Sequence, residues 1–157
     1  MFDALYEFTS SLPAFLQWAG VMLISAIPLV ESYFGSMIGV AIGINPVVAI
    51  AAAILGNVIS MLFFVLSAHG VRSKVVSGKE ERELSPRRQK LRARFDRYGV
   101  PGVSLLGQMI LPSQITSAAM VSFGAPKHTV ILWQVISISI WGVVFGTLAW
   151  AGVATLR

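Results

Sequence analysis

One carboxylate lies within a long apolar stretch of this chain. Glu31 is the only charged side chain between Glu7 and Arg72, and it belongs to the segment IPLVESYFGSMIGVAIG, residues 27–43. An acidic side chain at the centre of a membrane helix costs roughly 2.5–3.5 kcal/mol on insertion scales. Removal from water disfavours the charged form of a carboxyl, so a buried one exchanges readily between a proton and a cation. The stretch therefore predicts a membrane protein with a buried ion site.

Glu31 has two interpretations at the level of sequence. In the first, its proton exchanges with a substrate or with an inward flux of protons. In the second, the side chain lies at the membrane interface, where it reaches water or caps the helical arm beside Pro28. We favour the first interpretation, because ionisable residues inside membranes mark ion or substrate paths by default.

The composition is that of an integral membrane protein. Of the 157 residues, 55% are hydrophobic and 12% are charged, whereas soluble domains carry about 25% charged residues. Ten of the twelve Lys and Arg residues and four of the seven acids lie within residues 72–97, so the net charge of +5 belongs to one segment. No nucleic-acid partner is expected, because such a partner needs a folded basic face. The absence of cysteine excludes disulfides and thiolate chemistry.

The first half, residues 8–70, consists of two interrupted apolar arms and one long apolar block. The first arm runs into Pro28, and the second ends at the helix breaker Asn45-Pro46. A continuous apolar block of 22 residues, 47–68, follows. About 20 apolar residues cross a bilayer core, so this block predicts one transmembrane helix.

The second half, residues 99–157, repeats this plan. Its two interruptions are Pro112 and Pro126, and its long apolar block covers residues 129–156. Interrupted apolar segments at matching positions of two halves indicate a transporter binding site. Both halves also carry glycines four residues apart, which let helices approach closely in lipid. These glycine ladders are Gly35/Gly39/Gly43 and Gly142/Gly146.

A basic segment, residues 71–98, joins the two halves. Ser85-Pro86 predicts the start of a helix, and Tyr98-Gly99 predicts its end. Leu91, Phe95 and Tyr98 lie on one face among Arg and Lys residues, a pattern typical of an amphipathic helix on an anionic membrane surface. A solvated linker is an equal alternative. In both cases the positive residues mark the cytoplasmic side.

The interrupted segments have two topological interpretations. If each is a re-entrant hairpin, the single span in each half inverts the second copy, and both termini lie outside the cell. The competing interpretation is four or more plain spanning helices with both termini in the cytoplasm. We favour the hairpins, because an arm such as residues 32–44 is too short for a bilayer core of about 30 Å.

We therefore predict a single membrane domain in the plasma membrane, all-α and multi-pass. Its fold is an inverted repeat of a re-entrant helical hairpin plus a transmembrane helix. A basic amphipathic cytoplasmic helix joins the two copies. The predicted hairpin tips lie at Pro28 in the first copy and at Pro112 and Ser113 in the second.

The remaining candidate binding residues are uncharged. Gln108 and Gln114 are predicted to supply donors and acceptors at the second hairpin tip, or to satisfy backbone groups that Pro112 leaves open. Asn57, in the first long block, either binds substrate or bonds to a neighbouring helix. No catalytic residues, metal ligands or cofactor site are predicted, because no Ser/His/Asp, metal-ligand or phosphate-loop spacing occurs.

The order of motifs resembles a known family. AIPLVE, a Gly-rich arm, GINP, AILGN, a basic helix ending in RFDRYG and a second Pro-interrupted hairpin are similar to the small multidrug export proteins. These are similar in turn to the DedA (VTT-domain) membrane proteins. The resemblance covers about residues 20–155 and implies a transporter with facing re-entrant hairpins and coupling to protons.

The resemblance also implies an acid on the first hairpin and arginines on the second. Glu31 matches the acid. The stretch that resembles the family motif GRFIPGVR reads GQMILPSQ, residues 107–114, which has one more residue before the proline and carries Gln at both arginine positions. A role that needs a cation in the site, such as binding a phosphate, is therefore not favoured.

We predict proton-coupled export of small cationic or amphipathic compounds through a site at Glu31. The partners expected are membrane lipid, the small-molecule substrate, protons and a second copy of the chain in a homodimer. One alternative is a DedA-like flippase or scramblase for a polyprenyl phosphate or phospholipid. Another is an accessory membrane subunit in which Glu31 pairs with a partner's charge.

Overall fold

The computed structural model describes residues 1–75, 86–108 and 110–155, and every regular element in these residues is helical. A short 3-10 helix follows α1. The elements are α1 (Phe2–Ser11), the 3-10 helix (Ala14–Leu16), α2 (Gln17–Ser25), α3 (Glu31–Ala41), α4 (Pro46–Val75), α5 (Pro86–Gly107), α6 (Ser113–Phe123) and α7 (Lys127–Thr155).

Two helices are long and apolar enough to cross a membrane. They are the Pro46–Gly70 part of α4 and the whole of α7, Lys127–Thr155. These two helices contain the two blocks that the sequence predicted as spans, apart from the last residue of the second block. The all-α prediction is thus confirmed for the described residues, together with two candidate membrane spans.

The chain forms two compact units, whose boundaries fall within α4 and α7. One unit is Met1–Ser60 with Ile138–Arg157, and the other is Met61–Ser137. The first unit has an apolar core in which Val21 of α2 packs with Ala52 and Ala53 of α4. A second cluster of the same unit joins Ile24, Val30 and Ile38.

Helices α2 and α3 form an antiparallel pair in the first unit. Gly35 lies against Ser25, and Gly39 lies against Val21, so the partner numbers fall as the glycine numbers rise. A five-residue connection, 26–30, joins the two helices. Neither helix alone reaches across a bilayer, because 9 and 11 residues span only roughly 14–17 Å.

Helices α5 and α6 form a second such pair in the other unit. Gly107 lies next to Thr116, and Phe95 lies 6.3 Å from Phe123 between ring centroids. The residue numbers again fall along one helix as they rise along the other, so this pair is also antiparallel. Another five-residue connection, 108–112, joins these helices.

The short helices α3 and α6 end in the same way. Gly43 and Gly124 have φ values of +92° and +111°, a conformation that glycine adopts without steric cost. At each end the residue after the glycine bonds to the carbonyl five residues before it: Ile44 to Gly39, and Ala125 to Met120. This is the Schellman motif. A proline then precedes or begins each long helix, so both halves share one order of elements.

Two boundaries test the sequence prediction around these elements. The sequence did not predict α1 as a separate helix, since the predicted first arm starts at residue 8. The predicted break at Gly99 is confirmed: the helical path of α5 is interrupted there by φ 66° and ψ −173°. The described part of α5 starts at Pro86. Ser85 and most of the predicted loop over residues 75–83 lie outside the described residues, so the predicted helix start stays a prediction.

Candidate functional site

Glu31 lies at the turn between α2 and α3. It is the first residue of α3 and is 0% exposed, the only buried charged side chain in the described part of the chain. Its φ is +53°, and that of Leu29 is +81°, values that cost about 1–3 kcal/mol each for residues other than glycine. Pro28 lies between Ile27 and Leu29 in this connection. The chain thus reverses direction at Pro28 and carries Glu31 inward.

Serine hydroxyls attach this turn to both long helices. Ser60 of α4 donates a hydrogen bond of 2.7 Å to the carbonyl of Ala26. Ser32, next to Glu31, donates one of 2.8 Å to the carbonyl of Ile138 in α7. Each bond gives a serine hydroxyl an acceptor, and a buried hydroxyl without one costs about 1–3 kcal/mol. The position of Glu31 is therefore held from two sides.

The unit that contains Glu31 is acidic. Residues 1–60 and 138–155 include three acids, Asp3, Glu7 and Glu31, and no Lys, Arg or His. Asp3 and Glu7 are exposed on α1. Glu31 is therefore the one buried acid among the described residues of this unit. A buried carboxyl in these surroundings binds a proton or a cation more readily than an anion.

Asn57 belongs to the same unit and is 0% exposed. It lies on α4 one turn before Ser60, which bonds to the α2–α3 connection. The neighbouring Gly56 lies directly against the backbone of Met22 in α2. Asn57 is thus on a helix that contacts α2 and its connection.

The second predicted tip is built from uncharged polar residues. Pro112 precedes α6, and Ser113 and Gln114 begin it; both of these polar side chains are 0% exposed. Gln108, at the end of α5, is 2% exposed. Its Oε1 accepts a hydrogen bond of 2.6 Å from Ser137 of α7. The structure thus brings Gln108, at the start of the connection, against α7 within the second unit.

Sequence reasoning missed the polar face of α7. Gln134 is 1% exposed and Ser137 is 0% exposed, and three-residue spacing puts both on one side of the helix. The single hydroxyl hydrogen of Ser137 is shared between Oε1 of Gln108 and the carbonyl oxygen of Ser104, which lies 2.8 Å from the hydroxyl. The available signal was that Gln134 is the one amide or charged side chain within residues 129–156.

Several polar groups in the second unit are buried without a partner among the residues that the structure describes. Gln134 has no hydrogen bond from either amide atom to any described residue, and neither has Nε2 of Gln108 or the hydroxyl of Thr116. Thr116 lies next to Gly107, which precedes Gln108. A buried polar group without a partner costs about 1–3 kcal/mol. These groups are therefore suited to bind water or a polar part of a ligand.

Four of the five ladder glycines pack within the chain, whereas a Cβ added at Gly43 would have no atom within 4 Å. Gly142 lies against Ile54 and Ser32, and Gly146 lies against Ile50 and Ser36. Gly35 and Gly39 face α2 and α4 in the same way. The ladders therefore join helices of one unit, and they give no support to the homodimer, which stays a prediction.

Comparison with protein-family models, with curated proteins and with solved structures gives no match to this chain. Its function must therefore be inferred from its own residues and their geometry. Within the described residues, no group of three His, Cys, Asp or Glu side chains is placed to hold a metal ion.

Proposed function

We propose that this chain is an integral membrane transporter that exports small cationic or amphipathic compounds in exchange for protons at Glu31. The observation that carries the proposal is the complete burial of this carboxyl at a helix break. It lies in a unit whose described residues contain no basic side chain. The resemblance to the small multidrug export proteins leads to the same activity.

The proposed coupling follows from competition for one carboxyl. A proton neutralises Glu31, and its release leaves a negative charge that attracts a cationic substrate. A carboxyl that has bound a proton binds a cation less tightly. Proton binding on one side of the membrane therefore favours release of the cation on that side. The buried position increases the effect, since charge interactions are stronger away from water.

We further propose that the α2–α3 and α5–α6 pairs are re-entrant hairpins of an inverted repeat in the plasma membrane. The short lengths of α2, α3 and α6 support this proposal, as does the shared order of elements in the two halves. The basic segment would then lie in the cytoplasm. Asn57 in the first unit, and Gln108, Gln114 and Gln134 in the second, are neutral donors and acceptors that do not repel a cation.

A lipid flippase or scramblase is less well supported. Recognition of a lipid phosphate inside the membrane is expected to use Arg or Lys. The unit around Glu31 has neither among its described residues, and glutamines occupy the two positions where the resemblance implies arginine.

Reconstituted vesicles test the proposal directly. Protein-containing liposomes with an acidic interior should accumulate a fluorescent cation such as ethidium, and the rate should fall to that of protein-free liposomes for Glu31→Gln. Glu7→Gln is the matched control, because Glu7 is an exposed acid of the same unit, and it should transport at the wild-type rate.

A second variant separates loss of function from loss of folding. Glu31→Asp keeps the carboxyl and should keep part of the pH-driven uptake, while size-exclusion profiles show whether each variant is folded. Uptake by folded Glu31→Gln at the wild-type rate would overturn the proposal. Flipping of labelled phospholipid by the wild type, without ethidium uptake, would favour the flippase instead.

A further inference from the structure

Two segments of α5 line a common hollow beside Gly99. Leu91, Arg94 and Tyr98 come from the segment before the glycine, and Val103 and Leu106 come from the segment after it. The hollow has a volume of about 260 Å³. Only glycine readily adopts the backbone conformation at position 99, so the bend that opposes the two segments is encoded at that residue.

Two further hollows adjoin the first, because all three share Leu91 and Leu111. One, of about 410 Å³, extends along α6 and reaches Phe64 and Ile115. The other, of about 200 Å³, reaches Lys90. Together they form one groove in the second unit, which we call the α5 groove. Small-molecule sites have volumes of roughly 300–1,000 Å³, so the groove has room for a ligand.

The α5 groove is apolar along its length and basic at its rim. Leu106 and Ile110 are 64% and 61% exposed, which leaves apolar surface accessible to a ligand. Lys90 and Arg94 are both exposed and lie four residues apart, hence on one side of the helix. A fitting ligand therefore combines a hydrocarbon chain with a negatively charged head.

We propose that the α5 groove binds an anionic phospholipid. One acyl chain lies along Leu106, Ile110 and Leu111, and the phosphate is held by Lys90 and Arg94. Charge complementarity carries this choice over a second copy of the chain, whose own groove is equally basic. The proposal is independent of transport at Glu31, because the groove belongs to the second unit and uses none of the residues assigned to the ion site.

Lipid binding can be measured on the purified full chain in a non-ionic detergent. Native mass spectrometry would count bound dioctanoyl phosphatidylglycerol, with the zwitterionic dioctanoyl phosphatidylcholine as comparison. We expect the anionic lipid to bind more tightly. Each basic residue near an anionic lipid contributes a factor of about five, so Lys90→Gln with Arg94→Gln should weaken its binding roughly 25-fold.

The same helix offers a control of equal charge. Arg92 and Arg97 are exposed on the same segment and stack on the rings of Phe123 and Tyr98, but neither lines a hollow of the groove. Arg92→Gln with Arg97→Gln should leave binding of the anionic lipid within about twofold of the wild type. Circular dichroism would confirm that both double variants are helical.

A third variant tests where the acyl chain lies. Leu106→Trp fills the groove from an exposed position without a change of charge, and it should reduce binding of both lipids. Equal binding of the two lipids by the wild type, or equal losses in the two double variants, would overturn the proposal. So would competition by soluble glycerol phosphate alone, or loss of a dimer's mass in Leu106→Trp, which would assign the groove to a second copy of the chain.

Discussion

The buried glutamines of the second unit differ in whether their side chains have hydrogen-bond partners. Gln108 gives one oxygen to Ser137 at 2.6 Å, whereas neither amide atom of Gln134 bonds to another described residue. A leucine has a similar size and could replace either glutamine without burying a polar group. An amide buried without a partner among the described residues lowers stability unless water or a ligand binds it.

Replacement of the two glutamines by leucine should therefore have unequal effects. Gln134→Leu removes an unsatisfied buried amide and should raise the free energy of unfolding in detergent by about 1–2 kcal/mol. Gln108→Leu removes the unpartnered Nε2 together with one acceptor of Ser137, which keeps the carbonyl of Ser104, so the free energy of unfolding should stay within about 1 kcal/mol of the wild type. Denaturant titration followed by circular dichroism measures both. Destabilisation by Gln134→Leu would mean that its amide is already satisfied.

The prediction extends to transport. If Gln134 binds the polar part of a substrate, Gln134→Leu should slow ethidium uptake although it stabilises the protein. A stable variant with unchanged uptake would remove Gln134 from the proposed path, while leaving the role of Glu31 to its own test.

At the scale of elements, small residues set how closely the helices approach. Gly56 of α4 lies so near to the backbone of Met22 in α2 that an added Cβ would overlap its carbonyl group. Gly39 of α3 has Ala49 of α4 at 2.8 Å from the position of such a Cβ. These contacts bring α2 and α3 against α4, where Ser60 bonds to the turn before Glu31.

Two alanine substitutions distinguish packing from helix propensity. Gly56→Ala should separate α2 from α4 and destabilise the protein by about 1–3 kcal/mol, because the obstacle is backbone. Gly152→Ala places a Cβ where no atom lies within 4 Å, and it should be neutral or stabilise α7 by up to about 1 kcal/mol. Thermal unfolding of both variants in detergent provides the comparison. Equal stability would show that α2 does not approach α4 so closely.

At the scale of the whole molecule, the two halves share a sequence of elements that the proposed topology explains. A five-residue connection, an 11-residue helix, a left-handed glycine and a long apolar helix follow one another in each. The short helices do not reach across a bilayer, so we propose that their connections end within it.

Single cysteines test this topology, because the chain contains none. Asn45→Cys, at an exposed site after α3, should react with a membrane-impermeant thiol reagent from outside the cell. Ile27→Cys and Ile110→Cys, in the two connections, should react slowly from either side because the membrane shields them. Lys127→Cys serves as the cytoplasmic control. Rapid labelling of Ile27→Cys from the cytoplasm would favour plain spanning helices.

Much of the helical outline follows from local signals. Asn45 before Pro46 predicts the start of α4, and its side chain does accept a bond from Val47 at 3.0 Å. Gly99 predicts the break in α5 for a similarly local reason. α1 escaped prediction because its apolar residues are interspersed with acids, and its place depends on packing of Phe2 against Phe34.

The sequence by itself determined the two long apolar helices and the candidacy of Glu31, because hydropathy, proline and charge act locally along a chain. Only the tertiary structure decided the burial of Glu31, the attachment of its turn to α4 and α7, and the burial of Gln134. These depend on contacts between residues far apart in sequence, such as Ser32 with Ile138. No local pattern in the sequence encodes which helices pack against each other. The packing of the helices therefore determines which polar side chains are buried together.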